Sequence, residues 1–186
     1  MGKTKSTKRE FFEVSAPITA TKIELYAATK EELTGKTIKL DLTKSLRGKN
    51  LELTLRILNE NGKLVTRPEK TELTTTYIHR VMRKSTDYIE DSFETTCRDA
   101  TARIKPFFIT RRRVSRAVLK ALRNAAHDYL QHYTKTRTIE ELFSDVITNK
   151  LQKQLAFVLK KVYPLALCEI RIFELVKKKA TPEKEE

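Results

Sequence analysis

Arg111, Arg112, Arg113, Arg116, Lys120 and Arg123 fall within thirteen consecutive residues that contain no Asp or Glu. Their chemistry is recognition: guanidinium forks and ammonium groups neutralise phosphate oxygens and donate hydrogen bonds to them. The wider stretch 103–137 holds ten Lys and Arg residues, including Arg103, Lys105, Lys135 and Arg137, against the single acid Asp128. Ordinary surfaces intersperse both signs. A run this one-sided points to a polyanion, nucleic acid first. The plain alternative is a solvated basic face.

Spacing turns that charge into a surface. At 100° per residue, Val114, Ala117, Val118, Ala121, Leu122, Ala125 and Tyr129 share one broad arc, the expected core side of a long helix. Arg112, Arg113, Arg116, Lys120, Arg123 and His127 share the opposite arc. Thr110 is the expected N-cap, which sets Arg111, Arg112 and Arg113 at the positive end of the helix dipole, where cations are disfavoured. Bound phosphate would remove that conflict. The apolar arc is rich in alanine and lacks the Trp and Phe of a membrane-surface helix.

Two further basic groups stand apart. Arg80, Arg83 and Lys84 close a short predicted helix over 74–84, whose buried stripe is Tyr77, Ile78, Val81 and Met82. Lys3, Lys5, Lys8 and Arg9 lie in a polar N-terminal stretch, residues 1–10, read as a disordered basic arm. Near the basic helix, Phe107 and Phe108 point to opposite faces of a strand. An exposed one could stack on an unpaired base, but packing of both beneath the helix is the preferred expectation.

Enzyme signatures are missing. There is no GxGxxG and no GxxxxGK[ST], and 4 glycines leave little material for a phosphate-cradling loop. There is no HExxH and no CxxC, so neither a metal nor a cofactor is expected. His79, His127 and His132 read as surface or RNA-facing groups. Glu90, Asp91 and Glu94 alternate along a strand and read as a solvated face paired with Arg80, Arg83 and Lys84, in preference to an acid–base pair. Cys97 and Cys168 read as buried small hydrophobes of a reduced, intracellular protein. No apolar run approaches the roughly 20 residues that span a bilayer. A net charge of +14 over 186 residues suits a phosphate-neutralising role.

The elements that must carry these residues follow from periodicity. FFEVSAP (Phe11–Pro17) is a first strand stopped by Pro17. Residues 18–32 read as a short helix or loop. Thr37–Leu42 is a strand. LELTLRI alternates cleanly, with Leu51, Leu53, Leu55 and Ile57 on one face. Asn61-Gly62 makes a hairpin turn into a partner strand interrupted by Pro68. Residues 87–97 and 101–109 form two strands about a turn at Arg98-Asp99. One or two helices follow Thr138, which with Glu141 fits a capping box. Leu165–Val176 is a last strand. The expected fold class is α+β: an antiparallel sheet closing into a small barrel-like core, with a long basic amphipathic helix and further C-terminal helices. One domain is expected over 11–176, followed by a disordered charged tail over 177–186.

Three segments together carry a resemblance: ELTTTYIHRVMRKSTDYIEDSFETT, RIKPFFITRRRVSRAVLKALRNAAHDYL and KKVYPLALCEIRIFELV. With FFEVSAP and KLDLTKSLRGKNLELTLRI before them, their order resembles the small-subunit ribosomal protein family S3Ae, also named S1e, shared by archaea and eukaryotes. The likeness covers about 11–176. It departs at Phe11-Phe12, where the family has a basic residue and Trp, and at Arg98-Asp99-Ala100, in place of an Asp-Gly turn. The resemblance implies a non-catalytic structural protein on the platform of the small subunit, near the mRNA exit and the 3′ end of its rRNA. Implied partners are small-subunit rRNA, neighbouring small-subunit proteins and mRNA near the exit, in the cytoplasm, with no membrane. The rRNA contacts expected are Lys3, Lys5, Lys8, Arg9, Arg80, Arg83, Lys84, Arg103, Lys105, Arg111, Arg112, Arg113, Arg116, Lys120 and Arg123. A free-standing nucleic-acid-binding regulator is the alternative, and an RNA-processing enzyme a more distant one.

Overall fold

The computed structural model describes residues 9–46, 48–60 and 62–178. Lys3, Lys5 and Lys8 of the expected arm, Asn61 of the expected turn, and 179–186 of the expected tail lie outside the described residues. Among the described residues are nine strands and five α-helices, an α+β architecture. They fall into two compact units. The first holds the described residues up to Leu40 together with Leu53–Glu69. The second holds Asp41–Glu52 together with the described residues from Lys70 on.

The first unit opens with β1 (Glu10–Ala16), which pairs antiparallel with β2 (Thr21–Ala27) from Glu10↔Ala27 to Ala16↔Thr21. Pro17 ends β1 as expected and starts a single 3-10 turn. The β2 strand corrects the reading of 18–32 as helix or loop. Ile23, Leu25 and Ala27 alternate inward, a short period-two signal that the following helix α1 (Lys30–Leu33) obscured. β3 (Thr37–Asp41) and β5 (Lys63–Leu73) both pair with β4 (Leu51–Glu60). Leu64 and Val65 of β5 pair in parallel with Val14 and Ser15 of β1. Val14, Ala27, Leu33, Ile57 and Leu64 form the buried cluster of this unit. The alternation expected in β4 holds: Leu51, Leu53, Leu55 and Ile57 are all 0 % exposed. β5 runs through Pro68, which falls between the stretch paired with β1 and the stretch Lys70–Glu72 paired with the last strand. A missing N–H is tolerated at such a place.

The second unit is built on one long ladder. β8 (Ala100–Thr110) and β9 (Leu165–Lys178) pair antiparallel from Ala100↔Lys178 to Thr110↔Leu165. Pro106 sits at one of three register shifts along it, where a strand accepts proline. On the other edge of β8 lie β6 (Tyr88–Glu90) and β7 (Phe93–Thr96), one expected strand broken at Asp91-Ser92. β9 also pairs with β5 through Lys70↔Glu174 to Glu72↔Ile172. The pairings of neither unit return to their starting strand, so the barrel closure expected from the sequence is not seen.

Helices cover this sheet. α2 (Thr75–Val81) is capped by Thr74, whose hydroxyl accepts the Tyr77 N–H, and buries Ile78 against Leu51, Leu73, Phe107 and Ile109. α3 (Arg116–Lys135) buries Leu122, Ala126, Leu130 and Thr134. Only Leu122 belongs to the arc expected as core. Ala117 and Ala121 are exposed, and Val114 precedes the helix. Alanine carries little burial energy, so the larger Leu122 and Leu130 set the phase. Thr138 and Glu141 close the expected capping box at α4 (Ile139–Ile147), with N–H to side-chain distances of 3.4 and 3.0 Å. Asn149, at φ 58°, separates α4 from α5 (Lys150–Leu159) in the left-handed region that Asn tolerates.

One buried ion pair locks the second unit. Lys49, 7 % exposed, donates from Nζ to Glu169 Oε2 and to Asn149 Oδ1, each at 2.5 Å. It ties the β3–β4 loop to the α4–α5 turn and to β9. Burial, then the neighbouring Glu169 carboxylate, push the Cys168 thiol well above its ordinary range. That opposes a nucleophilic role; Cys97 is buried as expected, whereas Cys168 is only half-buried.

Candidate nucleic-acid interface

The long helix begins later than its sequence suggests, and this reorganises the basic cluster. Thr110 does not cap it. Thr110 is the last residue of β8, wholly buried, and its hydroxyl accepts the Asp87 N–H at 3.1 Å. The same hydroxyl lies 3.0 Å from the Asp87 carbonyl and 2.7 Å from the Arg112 carbonyl as acceptors. Ser115 caps α3 instead, accepting the Val118 N–H at 3.5 Å. With Thr110 engaged by Asp87 it cannot cap the helix, and the dipole disfavours the earlier start as well. A start at Arg111 would set three guanidinium groups on the positive end of the helix, whereas the observed start leaves Arg116 alone in that turn. The expectation that Arg111, Arg112 and Arg113 occupy the first helical turn is therefore corrected: they form the connection from β8 to α3.

That connection faces a second basic loop. Lys84, Ser85, Arg111, Arg112 and Arg113 line an open depression of about 710 Å³. An adjoining one of about 390 Å³ is lined by Arg80, Val81, Arg83, Ser85, Thr86, Ile109, Arg111, Ala166 and Leu167. Ser85 and Arg111 border both, and no carboxylate lines either. Two groups separated by about 30 residues thus form one cationic basin between the α2–β6 loop and the β8–α3 connection.

Hydrogen bonds fix the two loops together. Asp87 Oδ2 accepts the Val114 N–H at 2.8 Å, and the Thr110 N–H donates to the Asp87 carbonyl at 2.9 Å. Arg113 Nη2 donates to the Lys84 carbonyl at 3.2 Å. Asp87 and Thr110 were not among the residues that charge reasoning selects. The signal that could have found them is Asp87's position as the one acid between the basic pair Arg83-Lys84 and the strand carrying Glu90.

Arg116, Lys120 and Arg123 are exposed along α3, beside the basin in sequence. The expected contacts outside this group differ in how freely they can act. Arg80 donates to the Gly48 carbonyl at 2.9 Å and to Asn50 Oδ1 at 3.3 Å, and its guanidinium lies 5.3 Å from the Tyr77 ring centre. Arg103 is clamped between Glu94 and Glu174, 2.8 Å from each. Lys105 is half-buried on β8, and Arg9 is exposed ahead of β1. The acids expected to pair with Arg80, Arg83 and Lys84 are engaged elsewhere: Glu94 holds Arg103, Glu90 holds Arg171, and Asp91 accepts the Ser92 N–H. Phe107 and Phe108 are 2 % and 0 % exposed, so neither offers a stacking face. His127 is half-buried, its ring edge-on to Phe93 at 4.5 Å.

An open cationic basin without carboxylates can hold phosphate groups by charge and bidentate hydrogen bonds. Replacing Asp87 by alanine tests its construction. On charge alone, removing an anion beside six cations should strengthen anion binding. The Val114 tether predicts the reverse: a stability loss of about 1–3 kcal/mol and weaker RNA binding as the two loops separate. Thermal unfolding and an RNA titration measure both; tighter binding by Asp87→Ala would refute the tether.

Among the described residues no helix is long and apolar enough to cross a membrane. The model of the Ribosomal S3Ae family matches residues 2–179 of the chain. The chain is 25 % identical over 176 residues to small ribosomal subunit protein eS1 of Desulfurococcus amylolyticus, covering 90 % of this chain and 83 % of that protein. It is 26 % identical to the Nanoarchaeum equitans protein of the same name, covering 90 % and 89 %. A third eS1 protein, from Methanothermobacter thermautotrophicus, is 28 % identical over 100 residues, 53 % of this chain and 51 % of that one.

Proposed function

We propose that this chain, which belongs to the Ribosomal S3Ae family, is a non-catalytic structural protein of the small ribosomal subunit that binds its rRNA. The observation that carries the reading beyond the family is the acid-free basin joining Arg83 and Lys84 to Arg111, Arg112 and Arg113. Relatives named as small ribosomal subunit proteins support the assignment to that subunit. The position on the platform, near the mRNA exit and the rRNA 3′ end, and contacts with neighbouring ribosomal proteins and mRNA, are the finer parts of the proposal. So is the cytoplasmic location.

The mechanism is electrostatic and geometric. The basin holds phosphates in a fixed register because Asp87 and Thr110 pin its two rims, and Arg116, Lys120 and Arg123 extend the contact along α3. Lys3, Lys5, Lys8 and Arg9 supply a further grip, with Arg80 at the edge of the basin and Lys105 on β8; Arg103, held by Glu94 and Glu174, drops out of the expected set. Double-stranded RNA is then read by shape and backbone, with little dependence on base sequence. Each phosphate neutralised releases counterions, so affinity falls steeply with salt.

Two experiments test this. Sedimentation through a sucrose gradient should leave the protein with small subunits, whereas a free-standing regulator would stay in the soluble fraction. Replacing Arg116, Lys120 and Arg123 by glutamine should lower the salt slope of rRNA binding by about two to three units. An unchanged slope would remove the α3 face from the interface and leave the basin alone.

A further inference from the structure

A second surface combines cations with an exposed ring, and the charge reading did not select it. From Lys150 to Pro164 the sequence has four lysines and no Asp or Glu. α5 buries Leu151, Gln152, Leu155 and Leu159. At 3.6 residues per turn, Lys150, Lys153, Gln154 and Phe157 fall within an arc of about 100° away from them. Lys160 and Lys161 follow in the closing turn. Phe157 is 71 % exposed although it lies on a helix whose inward positions are fully buried. The core therefore gains nothing from it. Lys153, Lys160 and Lys161 have no carboxylate within 4.0 Å among the described residues, and Lys150 lies 3.7 Å from Asp145. Gln154 is steadied from α3 by the Tyr129 hydroxyl, which donates to its Oε1 at 3.3 Å.

We infer that the outer face of α5 is a second RNA contact, which takes an unpaired nucleotide of the small-subunit rRNA. Its base stacks on Phe157 and its flanking phosphates lie against Lys153, Lys160 and Lys161. The occupant follows from the combination. A lone exposed Phe needs no explanation, but one that shares a helix face with Lys153 and is followed by Lys160 and Lys161, none of the three paired with a carboxylate among the described residues, fits a ligand with a flat π-face and negative charge on both sides. Single-stranded nucleic acid has that form, and stacking of this kind accepts any base. The inference rests on the rRNA-binding reading but uses none of the basin residues.

The chain contains no tryptophan, so Phe157→Trp places a single fluorescent reporter in the proposed contact. Titration with an oligouridine single strand is expected to quench that indole saturably. Phe157→Ala should weaken oligouridine binding roughly tenfold, while affinity for a fully paired rRNA stem stays at the parent value. A chain that binds the stem but leaves the indole unquenched overturns this inference alone. A parent chain that binds neither RNA overturns the broader reading with it. A Phe157→Ala chain with parental oligouridine affinity but reduced incorporation into small subunits assigns this face to a protein neighbour, which also overturns the inference.

Discussion

Replacing Lys84, Arg111, Arg112 and Arg113 together by glutamine is expected to lower the salt slope of rRNA binding by about three to four units, the largest change in binding available from one region. Over the fourfold rise from roughly 50 to 200 mM salt, the variant should then lose about a hundredfold less affinity than the parent. The expectation depends on the four side chains acting on one stretch of backbone. Lys84 comes from one loop and the three arginines from another, yet both line one depression of about 710 Å³. If they contact phosphates as a unit, Lys84→Gln and the arginine triple should each reduce the slope on the same RNA fragment. A slope unaffected by Lys84→Gln would separate the two loops again. Folding should be little changed, because these side chains are exposed and surface substitutions rarely exceed about 0.5 kcal/mol.

The largest expected loss of stability comes from a different cation. Lys49→Ala should cost about 3–5 kcal/mol, because it strands the Glu169 carboxylate in a site where that side chain is 12 % exposed. For a chain of this size that lowers Tm by roughly 10 °C. Truncation also leaves Asn149 Oδ1 without the ammonium it accepts from. The comparison that identifies the mechanism is the double replacement Lys49→Met with Glu169→Met. Removing both charges and keeping volume should restore most of the loss, since a buried pair seldom outweighs well-packed apolar groups. Equal destabilisation by the single and double variants would show that packing, and not the stranded charge, accounts for the effect. Neither variant touches the basin, so rRNA binding measured well below the transition should be retained.

These two results separate the two uses this protein makes of basic residues. Lys49 and Arg103 are consumed internally, by Glu169 and by Glu94 with Glu174. Arg137 is consumed likewise: it pairs with Asp145, which also accepts the Tyr133 hydroxyl at 2.8 Å, and its guanidinium lies 4.1 Å from the Tyr133 ring centre. Burial, then that hydrogen bond to Asp145, drive the Tyr133 phenol far above its ordinary range. Such cations hold elements together and are poorly placed to reach an external phosphate. Arg83, Lys84, Arg111 and Arg112 have no carboxylate within 4.0 Å among the described residues. Composition counts both kinds alike.

Local pattern alone determined much of this protein. The period of two in β4 buried Leu51, Leu53, Leu55 and Ile57 where it said it would, because a strand offers each side chain only two faces. Thr138 and Glu141 formed their capping box because both partners lie within one turn. The order and spacing of three segments, together with the two strands before them, was enough to place the chain in its family, although no single residue among them is diagnostic. Tertiary structure decided three things that pattern could not. It moved the start of α3 from Arg111 to Arg116, because Thr110 was claimed by Asp87, 23 residues away. It rotated the buried stripe onto Leu122, Ala126, Leu130 and Thr134, because alanines leave the phase of a helix nearly free until larger side chains find their partners. And it brought Arg83 and Lys84 to Arg111, Arg112 and Arg113. The pairing of β6 with β8, with Tyr88 opposite Ile109, sets those two loops side by side, and Asp87 and Arg113 then tie them. Charge is written in the sequence, but whether two charged segments share one surface depends on long-range strand pairing, which no local window contains.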